Sequence, residues 1–131
     1  MQAAILRARL PLLAGWTGRR RSQAAAYRGA LEGGSVAPPV ERDPGHVYHL
    51  FVVRHPRPNA LKSHLASQGI ETLVHYPVPV PEQPAFAGTQ PAFCPRAAAA
   101  CGEILSLPLN AEIGDRQIAE IAAAVRRFEK E

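Results

Sequence analysis

The sequence is poor in cysteine and has no long apolar run. Its two cysteines, Cys94 and Cys101, lie seven residues apart in an alanine-rich stretch that is typical of a helix. Helical geometry would place them two turns, or roughly 10 Å, apart, which is beyond the reach of a disulfide. No segment approaches the ~18 apolar residues of a membrane helix, and none is typical of a secretory leader. These absences predict a cytoplasmic protein with reduced thiols and no membrane partner.

Acidic residues are missing from the first 31 positions, which contain six arginines. The net charge of the whole chain is +4, so this segment supplies all of the excess positive charge. Such a segment suits nucleic acid, an anionic membrane or a transit peptide. It also suits a helix whose basic face meets solvent or an acidic neighbour. The composition alone leaves these alternatives open.

The length of 131 residues predicts one α/β or α+β domain with its own core. An interrupted helical stripe over residues 2–31 predicts a long helix, bent or broken at Pro11, Gly15 or Gly18. Gly33 and Gly34 are expected to stop it, and a loop follows as far as residue 45. Residues 46–55 are rich in β-branched and aromatic side chains and predict a strand, buried on both faces over 50–53.

The second half predicts a further strand and three helices. Asn59 is the expected N-cap of a helix that Gly69 ends, and residues 70–76 predict a second strand. Another helix is expected to begin at Pro95, followed by a short extended piece, "LSLPLN". Asp115 is the expected N-cap of a closing amphipathic helix. Its apolar stripe consists of Ile118, Ile121, Ala122, Val125 and Phe128.

The simple signatures of enzymes and metal sites are absent from the sequence. Five histidines are present, yet no paired spacing of the C-x2-C type accompanies them, so we expect no metal site. A Cys-His nucleophilic pair stays possible in space, although cysteines beside alanines on a packed helix favour inert buried thiols. Gly33 and Gly34 follow a helix, whereas a phosphate-binding loop would precede one.

The most unusual stretch is "ETLVHYPVPVPEQPAF", residues 71–86, in which prolines stand at 77, 79, 81 and 84. Pro81 and Pro84 have the P-x-x-P spacing that proline-recognising domains bind as a polyproline II helix. Alternatively, the prolines make a stiff exit from a strand and hold His75 and Tyr76 at its carboxyl end, where α/β folds place ligand groups.

Several segments together resemble the C-terminal part of the DegT/DnrJ/StrS family of sugar aminotransferases. They are "VYHLFVVR", "LKSHLASQGIETLVHYPVPVPEQPAF", "CPRAAAACGEILSLPLNAEIGDRQI" and the Arg-rich first helix. The resemblance implies the small C-terminal domain of a fold-type-I aminotransferase, with a short, mostly antiparallel sheet flanked by helices. It implies a linking or interface helix over residues 1–32, a loop over 33–46 and the small domain over 47–131. Family members carry the same basic helix internally, so neither a transit peptide nor a nucleic-acid partner is expected.

The resemblance also implies that the catalytic half of the enzyme is missing. Family members are pyridoxal-phosphate enzymes that move an amino group from glutamate to a nucleotide-linked keto-sugar, and their large domain holds the Schiff-base lysine. Here only Lys62 and Lys130 are present, and neither is expected in a desolvated pocket. We therefore expect no catalytic or cofactor-binding residue and no pyridoxal phosphate on this chain alone. The match begins inside a family motif, which favours a truncated or inactive form that pairs with a large domain or with itself as a homodimer.

By the same resemblance, His75 is expected to contact the nucleotide-sugar substrate, with Tyr76 beside it. An imidazole donates to or accepts from sugar hydroxyls and diphosphate oxygens near neutral pH. The chain departs from the family at Pro81, where a second histidine is common, at Phe86, where tyrosine is common, and at Ala98, often a glutamate. The first two departures remove polar groups from the expected substrate side.

Overall fold

The computed structural model describes residues 1–86, Gly88 and 93–130. The chain begins with helix α1 (Gln2–Arg9), continues through a 3-10 turn at Leu10–Leu12 and enters helix α2 (Leu13–Leu31). The interruption coincides with Pro11, which lacks the N–H that an α-helix would need at that position. Gly15 and Gly18 lie inside α2 and do not end it. The long bent helix is therefore confirmed, with its interruption at the proline.

The loop after α2 extends further than the sequence predicted. Gly33 adopts a φ of 73°, which suits glycine and ends the helix. Strand β1 is only Phe51–Arg54, so the predicted strand over 46–55 is too long. Tyr48 has a φ of 49°, in the left-handed region, and this interrupts the extended run before β1. Phe51 and Val53 are buried but Val52 is half-buried, so burial on both faces is also wrong.

The sheet has two strands within the described residues, and β1 pairs with β2 (Ile104–Leu107) in antiparallel register. Phe51 lies opposite Leu107, and Arg54 lies opposite Ile104. The predicted strand over 70–76 is wrong, because this segment makes only one bridge, from Leu73 to Ser106. It continues directly into Pro77 and Pro79, which have no N–H to extend the pairing.

Three further α-helices follow in the described chain: α3 (Pro58–Ser67), α4 (Pro95–Cys101) and α5 (Asp115–Phe128). The predicted caps of α3 and α5 are wrong by one or two positions, since the N-cap residues are Arg57 and Gly114. Pro58 occupies the first turn of α3, which proline tolerates well. After α3, Gly69 has a φ of 74° and stops the helix as expected.

The core lies where α5 packs against α2 and α3 over one face of the sheet. The predicted stripe of α5 is buried in full: Ile118, Ile121, Ala122, Val125 and Phe128. From α2, Tyr27 stacks on Phe51 of β1 with ring centroids 4.9 Å apart. No helix in the described ranges is long and apolar enough to cross a membrane. The α+β architecture is confirmed, and its second strand carries a buried serine toward the segment that contains His75.

Candidate substrate site

His75 lies at the end of the extended segment that follows α3. It is half-buried, and its Nδ1 atom lies 2.9 Å from the Oγ atom of Ser106 on β2. The backbone N–H of Ser106 donates to the carbonyl oxygen of Leu73 at 2.8 Å. One residue of β2 therefore holds both the backbone before His75 and the imidazole itself.

Tyr76 points to a different environment from its neighbour. Its side chain is 69% exposed, and its ring meets the His75 ring edge-on with centroids 5.7 Å apart. The peptide bond between the two residues is cis. His75 lines the cleft described next, whereas Tyr76 does not. The two predicted substrate contacts are thus adjacent in sequence but differently placed.

An open cleft of about 650 Å³ lies beside His75. The segment 68–73 forms one side and α5 forms the other, with β2 and the residues after it at the base. Thr72 and Ser106 are polar groups of its lining that are almost fully buried, at 5% and 6% exposure. His49 and Leu50, from the loop before β1, close one end. The cleft combines an apolar lining with a few polar groups, which is typical of small-molecule sites.

The loop that carries His49 is bound to α2 by arginines. The Arg20 guanidinium donates to the carbonyl oxygens of Tyr48 and His49 at 3.1 and 3.0 Å. Arg21 and Arg28 each lie 2.9 Å from the carboxylate of Glu41. This part of the basic helix therefore meets an acidic neighbour, as one sequence interpretation proposed.

Glu41 is held as a carboxylate at this junction. The hydrogen bond from the Tyr48 hydroxyl, together with the Arg28 and Arg21 guanidinium groups, lowers the pKa of Glu41 from its ordinary value. Burial, and after it the hydrogen bond to Glu41, in turn raises the pKa of the Tyr48 hydroxyl. The result is a fixed loop conformation that places His49 at the cleft.

The proline-rich segment after Tyr76 is not a continuous polyproline II helix. It forms 3-10 turns at Val80–Glu82 and Pro84–Phe86. The N–H of Glu82 donates to the Pro79 carbonyl oxygen, and that of Gln83 donates to the Val80 carbonyl oxygen. Because these bonds fold the chain back within Pro81 to Pro84, the extended shape required by the P-x-x-P interpretation is absent here.

Among the described residues, no Cys-His pair and no metal centre forms in the cleft. Among the described residues no three or more His, Cys, Asp or Glu side chains gather as a metal site would require. Both cysteines are free, Cys94 is exposed and Cys101 is half-buried, so the expected buried thiols are wrong. Cys94 is the N-cap residue of α4 and Cys101 is its last residue, and this helix has no buried residue because its alanines do not pack against the core.

The lysines do not fit a cofactor that binds as a Schiff base. Lys62 on α3 and Lys130 near the end of α5 are both exposed, and neither lines the cleft. A lysine that forms such a bond needs a desolvated pocket or a cationic neighbour that lowers its pKa. The residues present therefore do not supply a pyridoxal-phosphate attachment site.

Two functional candidates in the cleft were missed by the sequence analysis. Ser106 belongs to "LSLPLN", for which the sequence predicted extended structure and a family resemblance but no functional residue, and His49 was weighed only among the five histidines as a metal ligand. Ser106 is 31 residues from His75 in sequence, so no local pattern could pair them. The sequence feature that could have indicated a role for Ser106 is its position as the one polar residue among the apolar residues of "ILSL".

The family comparison and the sequence comparison both match this chain to sugar aminotransferases. The model of the DegT/DnrJ/EryC1/StrS aminotransferase family matches residues 1–126. The chain is 44% identical to dTDP-3-amino-3,4,6-trideoxy-alpha-D-glucose transaminase of Streptomyces venezuelae, over 98% of this chain and 35% of that protein. It is 38% identical to UDP-N-acetyl-3-dehydro-alpha-D-glucosamine 3-aminotransferase of Acidithiobacillus ferrooxidans, over 97% of this chain and 35% of that protein.

The structural comparison agrees with the sequence comparison. The crystal structure of Streptomyces venezuelae DesV in complex with a ketimine intermediate superposes with a TM-score of 0.92 and 41% identity. The alignment covers 100% of this chain and 36% of that chain. The fold matches the C-terminal portions of aminotransferases, and the chain spans about a third of the length of the relatives it matches.

Proposed function

Because the chain belongs to the DegT/DnrJ/EryC1/StrS aminotransferase family, we propose that it is the small domain of a nucleotide-sugar aminotransferase and forms the substrate-side wall of its site. The observation that carries this proposal is the position of His75. Its imidazole lies in the cleft with one nitrogen held by Ser106, so the other nitrogen is available to a ligand. Two relatives are named as transaminases of dTDP- and UDP-linked sugars, and both substrate types offer sugar and diphosphate oxygens.

Amino transfer would require a second polypeptide region. The family uses pyridoxal phosphate, which supplies the electron sink for moving an amino group. This chain offers no desolvated lysine, so its own contribution is to bind and orient the sugar and to restrict water in the cleft. We propose that a large domain, in the same or another chain, provides the cofactor. A cytoplasmic location stays a prediction from the sequence.

The cofactor part of this proposal is tested by offering pyridoxal phosphate and glutamate to the purified chain. We expect no amino transfer to a keto-sugar nucleotide. After borohydride reduction, the extent of covalent labelling at Lys62 should equal that of a lysine in a short peptide. Lys62→Arg is the matched variant, because Lys62 is exposed and lies outside the cleft lining. Turnover that the Lys62→Arg substitution abolishes would overturn the proposal.

The role of His75 is tested by titrating the chain with dTDP and with UDP while its amide resonances are recorded. We expect shifts at His75 and along the segment 70–76, weakened at least about fivefold by His75→Ala because one hydrogen bond is lost. Lys62→Gln should leave the titration unchanged. Shifts that persist at full strength in His75→Ala would exclude His75 as the contact.

A second candidate function is an assembly module that pairs with a separate large domain or with itself. The first helical turns favour it, because residues 2–13, from α1 to the start of α2, bury no side chain and leave large apolar side chains exposed. They are Ile5, Leu6, Leu10, Leu12 and Leu13. An apolar face of this kind usually marks a contact surface. Sedimentation should show concentration-dependent association that Leu6→Gln with Leu10→Gln reduces, and a monodisperse monomer at high concentration would argue against this candidate.

A further inference from the structure

Ser106 is the link between the sheet and the segment that carries His75. It is paired with Val52 of β1 on one side and bridged to Leu73 on the other. Its side chain is directed at His75, with Oγ 2.9 Å from Nδ1, and the residue is only 6% exposed. The contact therefore joins a rigid strand to a half-buried imidazole at the cleft.

The direction of this hydrogen bond follows from what the hydroxyl can reach. A serine hydroxyl has one proton to donate, and a buried donor that finds no acceptor is destabilising. Within residues 1–86, 88 and 93–130, the only hydrogen-bond partner of Ser106 Oγ is His75 Nδ1. If Nδ1 carried the proton instead, the hydroxyl proton would be left without an acceptor. The favourable arrangement is a hydroxyl that donates to an unprotonated Nδ1.

The tautomer of His75 is then determined. In a neutral imidazole one nitrogen is a donor and the other an acceptor, and the hydrogen bond of one nitrogen sets the role of the other. With Nδ1 as the acceptor, the proton of the neutral ring resides on Nε2. No hydrogen bond to Nε2 is found in the described part of the chain, and the ring lines the cleft.

We propose that Ser106 is a positioning residue that holds the neutral His75 ring as a donor, with its Nε2–H available to an oxygen acceptor in the cleft. The class of acceptor, a sugar or diphosphate oxygen, rests on the proposed function, but the tautomer does not. Ser106 touches no substrate in this account. It acts by excluding the tautomer in which Nε2 is an acceptor and by fixing the plane of the ring.

The proposal is tested by nitrogen-15 NMR of the imidazole in the 131-residue chain, in slightly alkaline buffer where an ordinary imidazole is neutral. We expect the Nε2–H tautomer to dominate. Ser106→Ala should reduce the excess of this tautomer by about fivefold, as the loss of one ordinary hydrogen bond would. Ser106→Thr keeps the hydroxyl and should restore the excess. A dominant Nδ1–H tautomer in the wild type, or a ratio that Ser106→Ala leaves unchanged, would overturn the proposal.

A measurement on the wild type covers the case in which Ser106→Ala does not fold. The Ser106 hydroxyl proton should exchange slowly with water and show a nuclear Overhauser effect to the His75 ring. A hydroxyl proton that exchanges as fast as that of an exposed serine, such as Ser63, would contradict the proposal. Neither measurement requires a nucleotide. Absence of dTDP or UDP binding would therefore count against the proposed function and leave the tautomer assignment standing.

Discussion

Thr72 stands out at the residue scale because its hydroxyl is buried and unsatisfied. The residue is 5% exposed, and its Oγ1 atom makes no hydrogen bond within the described residues. Burying a hydroxyl without a partner costs roughly 1–3 kcal/mol in protein mutational data. Thr72→Val keeps the shape and removes that cost.

We expect Thr72→Val to raise the free energy of unfolding by about 1 kcal/mol, measured by urea denaturation. Thr17→Val is the matched control, since Thr17 is half-buried on α2 and its substitution should change stability by less than about 0.5 kcal/mol. A loss of stability in Thr72→Val would mean that the hydroxyl has a partner in solution.

Glu129 is a second residue with a defined energetic role. Its carboxylate accepts from the Val36 N–H at 3.0 Å and from the Arg126 guanidinium at 3.1 Å. Burial alone would raise the pKa of Glu129, but these hydrogen bonds outweigh it and lower the pKa from its ordinary value. The carboxylate therefore fastens the start of the loop after α2 to the end of α5.

The sign of the resulting pH dependence follows from linkage. A carboxylate whose pKa is lower in the folded state stabilises fully above its unfolded pKa, and the contribution is lost as the pH falls through the folded pKa. We expect the free energy of unfolding to decrease from pH ~7 to pH ~4 and below, and Glu129→Gln to flatten this slope. Urea denaturation at several pH values across this range measures the free energy of unfolding and its slope with pH. An unchanged slope in Glu129→Gln would place the pH dependence elsewhere.

At this scale the motif around His75 predicted a cleft residue, but the partner that orients it could not be predicted. His75 was identified by resemblance, whereas Ser106 reaches it only after β2 folds beside the segment. The same holds for Glu41, which meets Arg21 from 20 residues away. Contacts between distant residues depend on tertiary structure, which a periodic pattern does not encode.

Helix α5 is the element on which the core depends. Its apolar face packs against α2 and α3, and Phe128 at its end is 4% exposed. The Phe128 ring lies 5.3 Å from the ring of His55 and 5.4 Å from that of His64, and Arg57 lies over it at 5.0 Å. Truncating this ring would leave a cavity between α5, the loop after β1 and α3.

We expect Phe128→Ala to lower the free energy of unfolding by about 3–5 kcal/mol, a large share of the total for a domain of this size. Thermal or urea denaturation followed by circular dichroism measures it. Arg116→Ala on the same helix is the control, because that side chain is 91% exposed and its ion pair with Glu120 should matter by less than about 0.5 kcal/mol. Equal losses for the two substitutions would contradict the packing described for α5.

The amphipathic helix was easier to predict from sequence than the strands, because a strand depends on a partner elsewhere in the chain. The closing helix has a complete apolar stripe, so its core face was correctly predicted from period alone. The segment 70–76 has the composition of a strand, yet strand formation needs a partner along its length, and it finds one only at Leu73. The predicted strand over 46–55 failed at Tyr48, which has a left-handed backbone conformation and a hydroxyl that contacts Glu41 and Arg28.

At the scale of the whole molecule, the chain has a hydrophobic core of its own, but this core does not include the first helical segments. Buried residues begin at Gln23 on α2, and none lies in the helical segments before it. The relatives are about three times as long, which leaves room for a region that covers the exposed leucines of residues 2–13 and faces the cleft. The resemblance predicted the fold and the family, while the way the chain is completed stays a proposal.

The central claim is that residues 1–131 form a working substrate-side wall and depend on a large domain, in the same or another chain, for the cofactor. It is tested most directly by a chimera in which residues 1–131 replace the matching segment of the Streptomyces venezuelae transaminase, to which they are 44% identical. The KM for that enzyme's own sugar nucleotide is then compared between the chimera and its His75→Ala variant. We predict an active chimera whose KM rises about tenfold or more in the variant, while cofactor absorbance is unchanged. A folded, cofactor-loaded chimera that forms no amino sugar, or whose KM is unaffected by His75→Ala, would contradict the claim.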